Sequence, residues 1–220
     1  MPKINAINNK SAELTIDPGA SGDSFVQFDI NGTGEFRVGV DDSDSDKFKI
    51  SAGSALGTGD TFIMTANGER TMPLQPCFLA HRNSDIFNIT GNGTVYSMVW
   101  DSEEKDQGGD FNGTTTFTAP ITGQYRFICQ VQLTQMSTSN TSAYIEFVAS
   151  GDTYRSDITN IGREIFINNA PLEIETIIPM TASDTISVRF VVNGGTKVVD
   201  VQGNNGAGRS ISYFSGFLIC

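Results

Sequence analysis

The chain has 220 residues, with 14 Lys and Arg against 25 Asp and Glu, giving a formal charge of −11. That length suits one large β domain or a smaller one with an added module, and two parts are expected. The negative balance repels phosphate backbones and anionic membranes, so neither nucleic acid nor membrane insertion is expected, and no apolar run nears the roughly 20 residues of a membrane helix.

From the amino end, Met1 to Lys10 lacks the apolar core of a secretory signal, which predicts a chain that stays in the cytosol or leaves by another route. Short strands are predicted at Phe25 to Ile30, Glu35 to Val40, Phe48 to Ser51 and Thr61 to Ala66, separated by Gly, Asp and Ser. So few apolar residues do not close a core alone; such segments become stable when copies from several chains bury their faces against one another. Pro73 and Pro76 stiffen a connector, which sets the boundary between a module at 1–76 and a larger domain at 77–220.

Beyond the boundary the clearest strand is Tyr125 to Leu133, where Tyr125, Phe127, Cys129, Val131 and Leu133 share one face and that face is core. Ile145 with Phe147, and Val188 with Phe190, mark further strands, and Ile211 to Cys220 is a last strand sensitive to tags or truncation. Six Asn-Gly pairs, at Asn31, Asn67, Asn92, Asn112, Asn193 and Asn205, predict tight hairpin turns. No stretch sustains a helical period, so the fold class is all-β. The three cysteines, Cys77, Cys129 and Cys220, are too few and scattered for a disulfide framework or a paired metal site, so reduced thiols are the expectation.

The spacing Trp100-x5-Asp106-x4-Phe111-x5-Phe117-Thr-Ala-Pro-Ile-Thr-Gly123-Gln-Tyr125-Arg-Phe127 resembles the signature of the complement-1q globular heads, relatives of tumour necrosis factor. Phe214-Ser-Gly-Phe217-Leu218 resembles that family's ending, and Cys77-Phe-Leu-Ala-His-Arg82 its opening. Trp100 stands where Phe is usual, one residue is missing before Phe117, and Cys129 replaces an aromatic. The resemblance covers about Cys77 to Cys220 and implies a ten-strand jelly-roll sandwich in a threefold trimer with both domain termini at its base. It implies core or trimer roles for Trp100, Phe111, Phe117, Tyr125, Phe127, Phe214 and Phe217. Trp100 could instead stack on a sugar ring, but its place in the pattern favours the core. The loops Thr134 to Ser142 and Asn193 to Arg209 would lie at the apex. Their polar residues Gln135, Ser139, Asn140, Asn193, Asn204, Asn205 and Arg209 are candidate contacts for a bacterial surface glycan or protein receptor.

Glu35 to Ser51, followed by Leu56-Gly57 and Asp60-Thr-Phe-Ile-Met-Thr, resembles modules of bacteriophage tail fibres. The two resemblances together imply a homotrimeric receptor-binding protein, made in bacterial cytoplasm and carried on the virion with other tail proteins. The alternative is a purely structural element that trimerises or decorates the particle without touching a receptor.

Asp42, Asp44 and Asp46 alternate like the opening of a calcium loop, but the Gly and distal Glu of an EF-hand are missing. They are candidate calcium ligands beside the reading as a solvated turn; no other cofactor is expected. His81 is the sole histidine and no nucleophile or acid pair is assembled around it by motif, so it reads as structural and the chain as no enzyme. Glu103-Glu104 and Glu173 with Glu175 sit too close along the chain to face one another across a glycosidase cleft. Gly203 to Gly208 lacks the following helix of a phosphate cradle and reads as a flexible loop. The six Asn-x-Ser/Thr triplets, from Asn9, Asn31, Asn88, Asn92, Asn112 and Asn140, reflect composition rather than glycosylation.

Overall fold

The structure, a computed structural model, describes residues 5, 6, 12, 13, 15–19, 21–159, 169–204 and 211–220. The chain divides into two compact units, Met1–Gln75 and Pro76–Cys220.

In the first unit, β1 (Asn5–Ala6) pairs with β2 (Ala12–Glu13). An antiparallel meander follows: β3 (Ser24–Ile30), β4 (Thr33–Asp41), β5 (Lys47–Ala52), β6 (Asp60–Met64) and β7 (Arg70–Thr71) lie side by side in chain order. Asn31 and Gly32, with φ of 54° and 78°, form the two-residue turn between β3 and β4, since such a turn needs positive φ at both positions. A single 3-10 turn, Asp42–Asp44, leads from β4 toward β5. Strand alternation splits the meander into two unlike faces. On one face Val26 and Phe28 stand opposite Val38 and Phe36, Val38 stands opposite Ile50, and Ile50 opposite Phe62. On the other, Gly39 stands opposite Lys49 and Arg37 opposite Ser51. The polar face is the sealed one: Gly39, Asp41, Lys49 and Ser51 are buried there, whereas Val26, Phe28 and Phe36 on the apolar face are exposed.

The second unit is a jelly-roll sandwich. One sheet has β10 (Tyr96–Ser97) and β12 (Thr116–Thr118) on one edge of β17 (Thr185–Asn193), then β14 (Ser142–Ala149) and β15 (Asp152–Thr159). In the other, β13 (Gly123–Thr134) pairs along one edge with β16 (Ala170–Met180) and along the other with β19 (Tyr213–Leu218) and β18 (Val199–Gln202) end to end. Beyond these lie β8 (Cys77–His81) on β19, β9 (Ile86–Thr90) on β18, and β11 (Ser102–Gln107) outermost. The described sheets hold five and seven strands, against ten expected, because β8 with β9, β18 with β19 and β10 with β12 are each one line of pairing broken into two pieces. After β13 the chain passes between sheets at β14, β16, β17 and β18, the crossing that makes a jelly roll.

The core lies between the sheets. Tyr125, Phe127, Cys129, Val131 and Leu133 are all buried, as are Ile145, Phe147, Val188 and Phe190. Phe78 stacks on Phe111 and Phe117 with centroids 5.0 Å away in each case, and meets Phe214 edge-on at 4.9 Å; such offset and T-shaped contacts suit the ring quadrupoles. Trp100 stacks on Phe214 at 6.0 Å and is buried. Burial pushes the Cys129 thiol well above its ordinary range.

Only one described Asn-Gly pair, Asn31-Gly32, closes a two-residue hairpin. Asn67-Gly68 lies in the longer loop of the β6–β7 hairpin, and Asn92-Gly93, Asn112-Gly113 and Asn193-Gly194 lie in connections whose flanking strands are not hairpin partners, so loop length and not the dipeptide sets the turn; Asn205-Gly206 lies outside the described residues. Asn112 works through its side chain: Oδ1 accepts from the N–H groups of Thr114, Thr115 and Thr116 at 2.8 to 3.0 Å, an Asx-type closure.

Candidate functional site

Strand β13 gives the sandwich a direction. At its start, Gln124 donates its N–H to the Cys220 carbonyl at 2.8 Å, and Leu218 donates to the Pro76 carbonyl at 3.0 Å, so the chain enters and ends this unit at one end. At the opposite end β13 runs into the loop 135–141, which meets the loops 91–95 and 194–198. Thr141 donates to the Asn193 carbonyl at 3.0 Å and Gly195 to the Gly91 carbonyl at 2.8 Å. Val192 donates to Thr90 Oγ1 at 3.0 Å. A Cβ on Gly91 would lie 2.0 Å from the Thr196 carbonyl oxygen, and its φ is +121°, so this junction admits glycine alone.

Asn140 locks the three loops together. It is 2 % exposed; its Oδ1 accepts from Ser137 N–H at 2.8 Å, and its Nδ2 donates to the Gly91 carbonyl at 3.3 Å. The sequence suggested Asn140 as a receptor contact, and the structure assigns it to the loop interior instead, because its amide is consumed by backbone groups. Asn193 is half-buried and donates from Nδ2 to Ser142 Oγ at 3.1 Å. Gln135 and Ser139 are exposed on this platform, with Thr138, Thr196 and Lys197 also exposed nearby. Asn204 is not part of it: its N–H donates to Asn83 at 2.9 Å, beside the turn from β8 to β9. Asn205 and Arg209 lie outside the described residues.

A second feature is the outer surface of β16, β13 and β19. Arg126 stands opposite Ile177 on one side and Phe217 on the other. Ile177, Phe217 and Ile219 are 54 %, 39 % and 43 % exposed, and Arg126 Nε donates to Glu175 Oε1 at 2.8 Å. Phe217, read with its motif as a core or trimer residue, faces outward and so lies outside this unit's core, since Phe214, Gly216 and Leu218 take the inward positions of β19. In the next rows Gln130 stands opposite Glu173 and Tyr213; burial and the nearby Glu173 carboxylate push the Tyr213 phenol up. Glu173 and Glu175 thus share an open sheet face.

The acidic turn of the first unit surrounds an ammonium. Lys49 Nζ lies 2.8 Å from Asp41 Oδ2, 2.7 Å from Asp44 Oδ2 and 3.2 Å from Asp60 Oδ2, with its side chain 3 % exposed. Burial opposes the charge on Lys49, but the three carboxylates outweigh it and hold it above its ordinary range. The Lys49 hydrogen bond, then that from Ser43, holds Asp41 below the ordinary value of 3.8; Lys47, then Lys49, does so for Asp44. Of the residues read as calcium ligands, Asp44 joins this cluster, Asp42 accepts from the Gly22 N–H at 3.3 Å, and Asp46 is exposed at φ 57°. The structure does not bring the three together, and among the described residues no group of three or more His, Cys, Asp or Glu could hold a metal ion. The cluster of Asp41, Lys49 and Asp60 was missed because Lys49 sits between Phe48 and Ile50 at a position that alternation marks as the polar, outward one.

His81 Nδ1 is buried without a hydrogen-bond partner among the described residues and lies 3.7 Å from Glu104 Oε2. Among the described residues no helix is long and apolar enough to cross a membrane.

No family model and no curated protein matches the sequence. Among solved structures the chain is similar to the globular domain of zebrafish complement 1qA protein, at 14 % identity over 66 % of this chain and 98 % of that one, with a TM-score of 0.44. It is also similar to murine APRIL, at 11 % identity over 66 % of this chain and 99 % of that one, with a TM-score of 0.45 for the structure at pH 5.0.

Proposed function

We propose that this chain is a non-enzymatic, homotrimeric receptor-binding protein of the phage tail-fibre kind. The second unit is its head, the loop end of the sandwich its ligand surface, and a bacterial surface glycan its ligand class. The observation that carries this reading is the platform fixed by Asn140. It presents hydroxyl and amide side chains from rigid loops, at the end of the unit opposite the point where the chain enters. Preorganised polar groups lose little entropy on binding, which suits a ligand made of hydroxyls. The apolar and paired-charge surface of Ile177, Phe217, Ile219, Arg126 and Glu175 supports contact with neighbouring copies, since interfaces combine exposed apolar residues with a few satisfied charges.

The test replaces Gln135, Ser139 and Thr196 by Ala together and measures binding to host cells and to purified surface glycan. Net hydrogen bonds worth about 0.5–1.5 kcal/mol each predict a loss of tenfold or more with thermal stability unchanged. Unchanged attachment would overturn this reading and favour a purely structural trimerisation element. Shortening of the glycan on incubation would overturn the non-enzymatic part.

A further inference from the structure

The first unit is built the reverse way round from an ordinary half-buried sheet. Its polar side is closed by the Lys49 cluster and by the 53–59 segment, from which Leu56 is buried. Its apolar side is open, and none of Val26, Phe28, Phe36, Val38, Ile50 or Phe62 is buried. Phe28 and Phe36, directly paired across β3 and β4, are 55 % and 49 % exposed, and Ile30 is 66 % exposed. A Phe side chain offers roughly 150–250 Å², so these two rings alone present about 200 Å² to solvent. With Val26 and Ile30, 41 % and 66 % exposed, the face reaches a few hundred Å², the size at which an apolar patch marks an interaction surface.

We infer that this face is an interface between copies of the same chain, each burying its β3–β6 apolar surface against the same surface of its neighbours. The inference rests on the homotrimer reading above and names the part of the chain that would hold the copies together. Three features select a copy over another partner. The named residues carry no charge, so a charged surface gains nothing there and an equally apolar one gains most. The rim is charged: Asp29 is exposed on the edge strand β3, and Arg70, paired with Met64, is exposed on the opposite edge strand β7. One residue of each sign at opposite edges lets neighbours in a ring meet with complementary rims, and an apolar centre within a polar rim is the anatomy of an association surface. The area is also of the right order, because a stable interface takes about 800 Å² per partner and this face supplies its apolar centre.

The experiment is hydroxyl-radical footprinting of the full chain by mass spectrometry, with the mass in solution measured on the same sample by light scattering. Phe87, 64 % exposed in the second unit, is the internal standard. The expected result is a multiple of 23.7 kDa in which Phe28 and Phe36 are labelled at least tenfold more slowly than Phe87. Replacing both by Ser should then raise the concentration at half-association at least tenfold. A multimer whose Phe28 and Phe36 are labelled as fast as Phe87 would leave the homotrimer standing and overturn this interface. A single-chain mass would remove the homotrimer reading itself, and this inference with it. Protection of the two rings in a single chain would show that the chain covers its own face.

Discussion

Lys49 shows how one side chain can set the stability of a small sheet. Its ammonium meets Asp41, Asp44 and Asp60 at once and offsets part of their charge, and the Asp41 side chain is as buried as its own. Removing one partner from such a group leaves charge without compensation, which typically costs about 3–5 kcal/mol. Lys49→Met should therefore open the β4–β6 region at neutral pH, read as faster amide hydrogen exchange there, while fluorescence of Trp100, the sole tryptophan, stays unchanged. The pH dependence should reverse in the variant. In the natural chain Asp41 and Asp44 are depressed below 3.8, so their contribution is complete above that value and lost as pH falls through their lowered values. Lys49 is raised above 10.5, so its contribution is present below that value and lost only at higher pH. In Lys49→Met, protonating the stranded carboxylates removes the repulsion, so the region should become more protected as pH falls toward 4. A protection factor at pH 4 no higher than at neutral pH in that variant would show that the carboxylates find solvent without the ammonium.

Strands were the most legible part of the sequence, and the reason is visible in β13 and β19. Tyr125 to Leu133 alternates so cleanly that periodicity alone predicts its buried face. The Phe214 to Leu218 motif was legible as a unit, yet its members divide: Phe214, Gly216 and Leu218 are buried and Phe217 is exposed, a split that strand parity gives and motif membership hides. Gly216 explains why the motif carries a glycine. A Cβ there would lie 2.5 Å from Phe127 Cδ1 and 2.7 Å from Phe78 Cε1, inside a packed aromatic cluster. Gly216→Ala should cost about 1–3 kcal/mol by overpacking, seen as a lower thermal midpoint by Trp100 fluorescence, because Trp100 stacks on the adjacent Phe214. An unchanged midpoint would mean that the rings shift freely. The loop end was less legible, since the role of Asn140 depends on Gly91, Ser137 and Asn193, which converge only in the folded unit. In the meander the two unlike faces could be read from alternation, but not which of them is sealed, because that depends on Lys49 finding three carboxylates.

At the scale of the whole molecule, apolar attraction between copies works against charge. Each chain carries −11, so bringing copies together brings like charges together, and that repulsion is screened by salt. Association should therefore tighten between low and physiological ionic strength, the opposite of an assembly held by ion pairs across its interface. A chelator should leave the mass unchanged, because the Lys49 ammonium already occupies the space among Asp41, Asp44 and Asp60 where a cation would sit. Attachment should follow assembly more steeply than it follows any one loop contact. Linked heads make the second and third contacts intramolecular, which raises overall binding by about 10²–10⁴ over a single head. Replacing Phe28 and Phe36 by Ser leaves Gln135, Ser139 and Thr196 in place, so a dissociated variant should keep its weak binding to soluble glycan while losing attachment to cells by two orders of magnitude or more. If attachment instead falls no further than soluble binding does, each head acts alone.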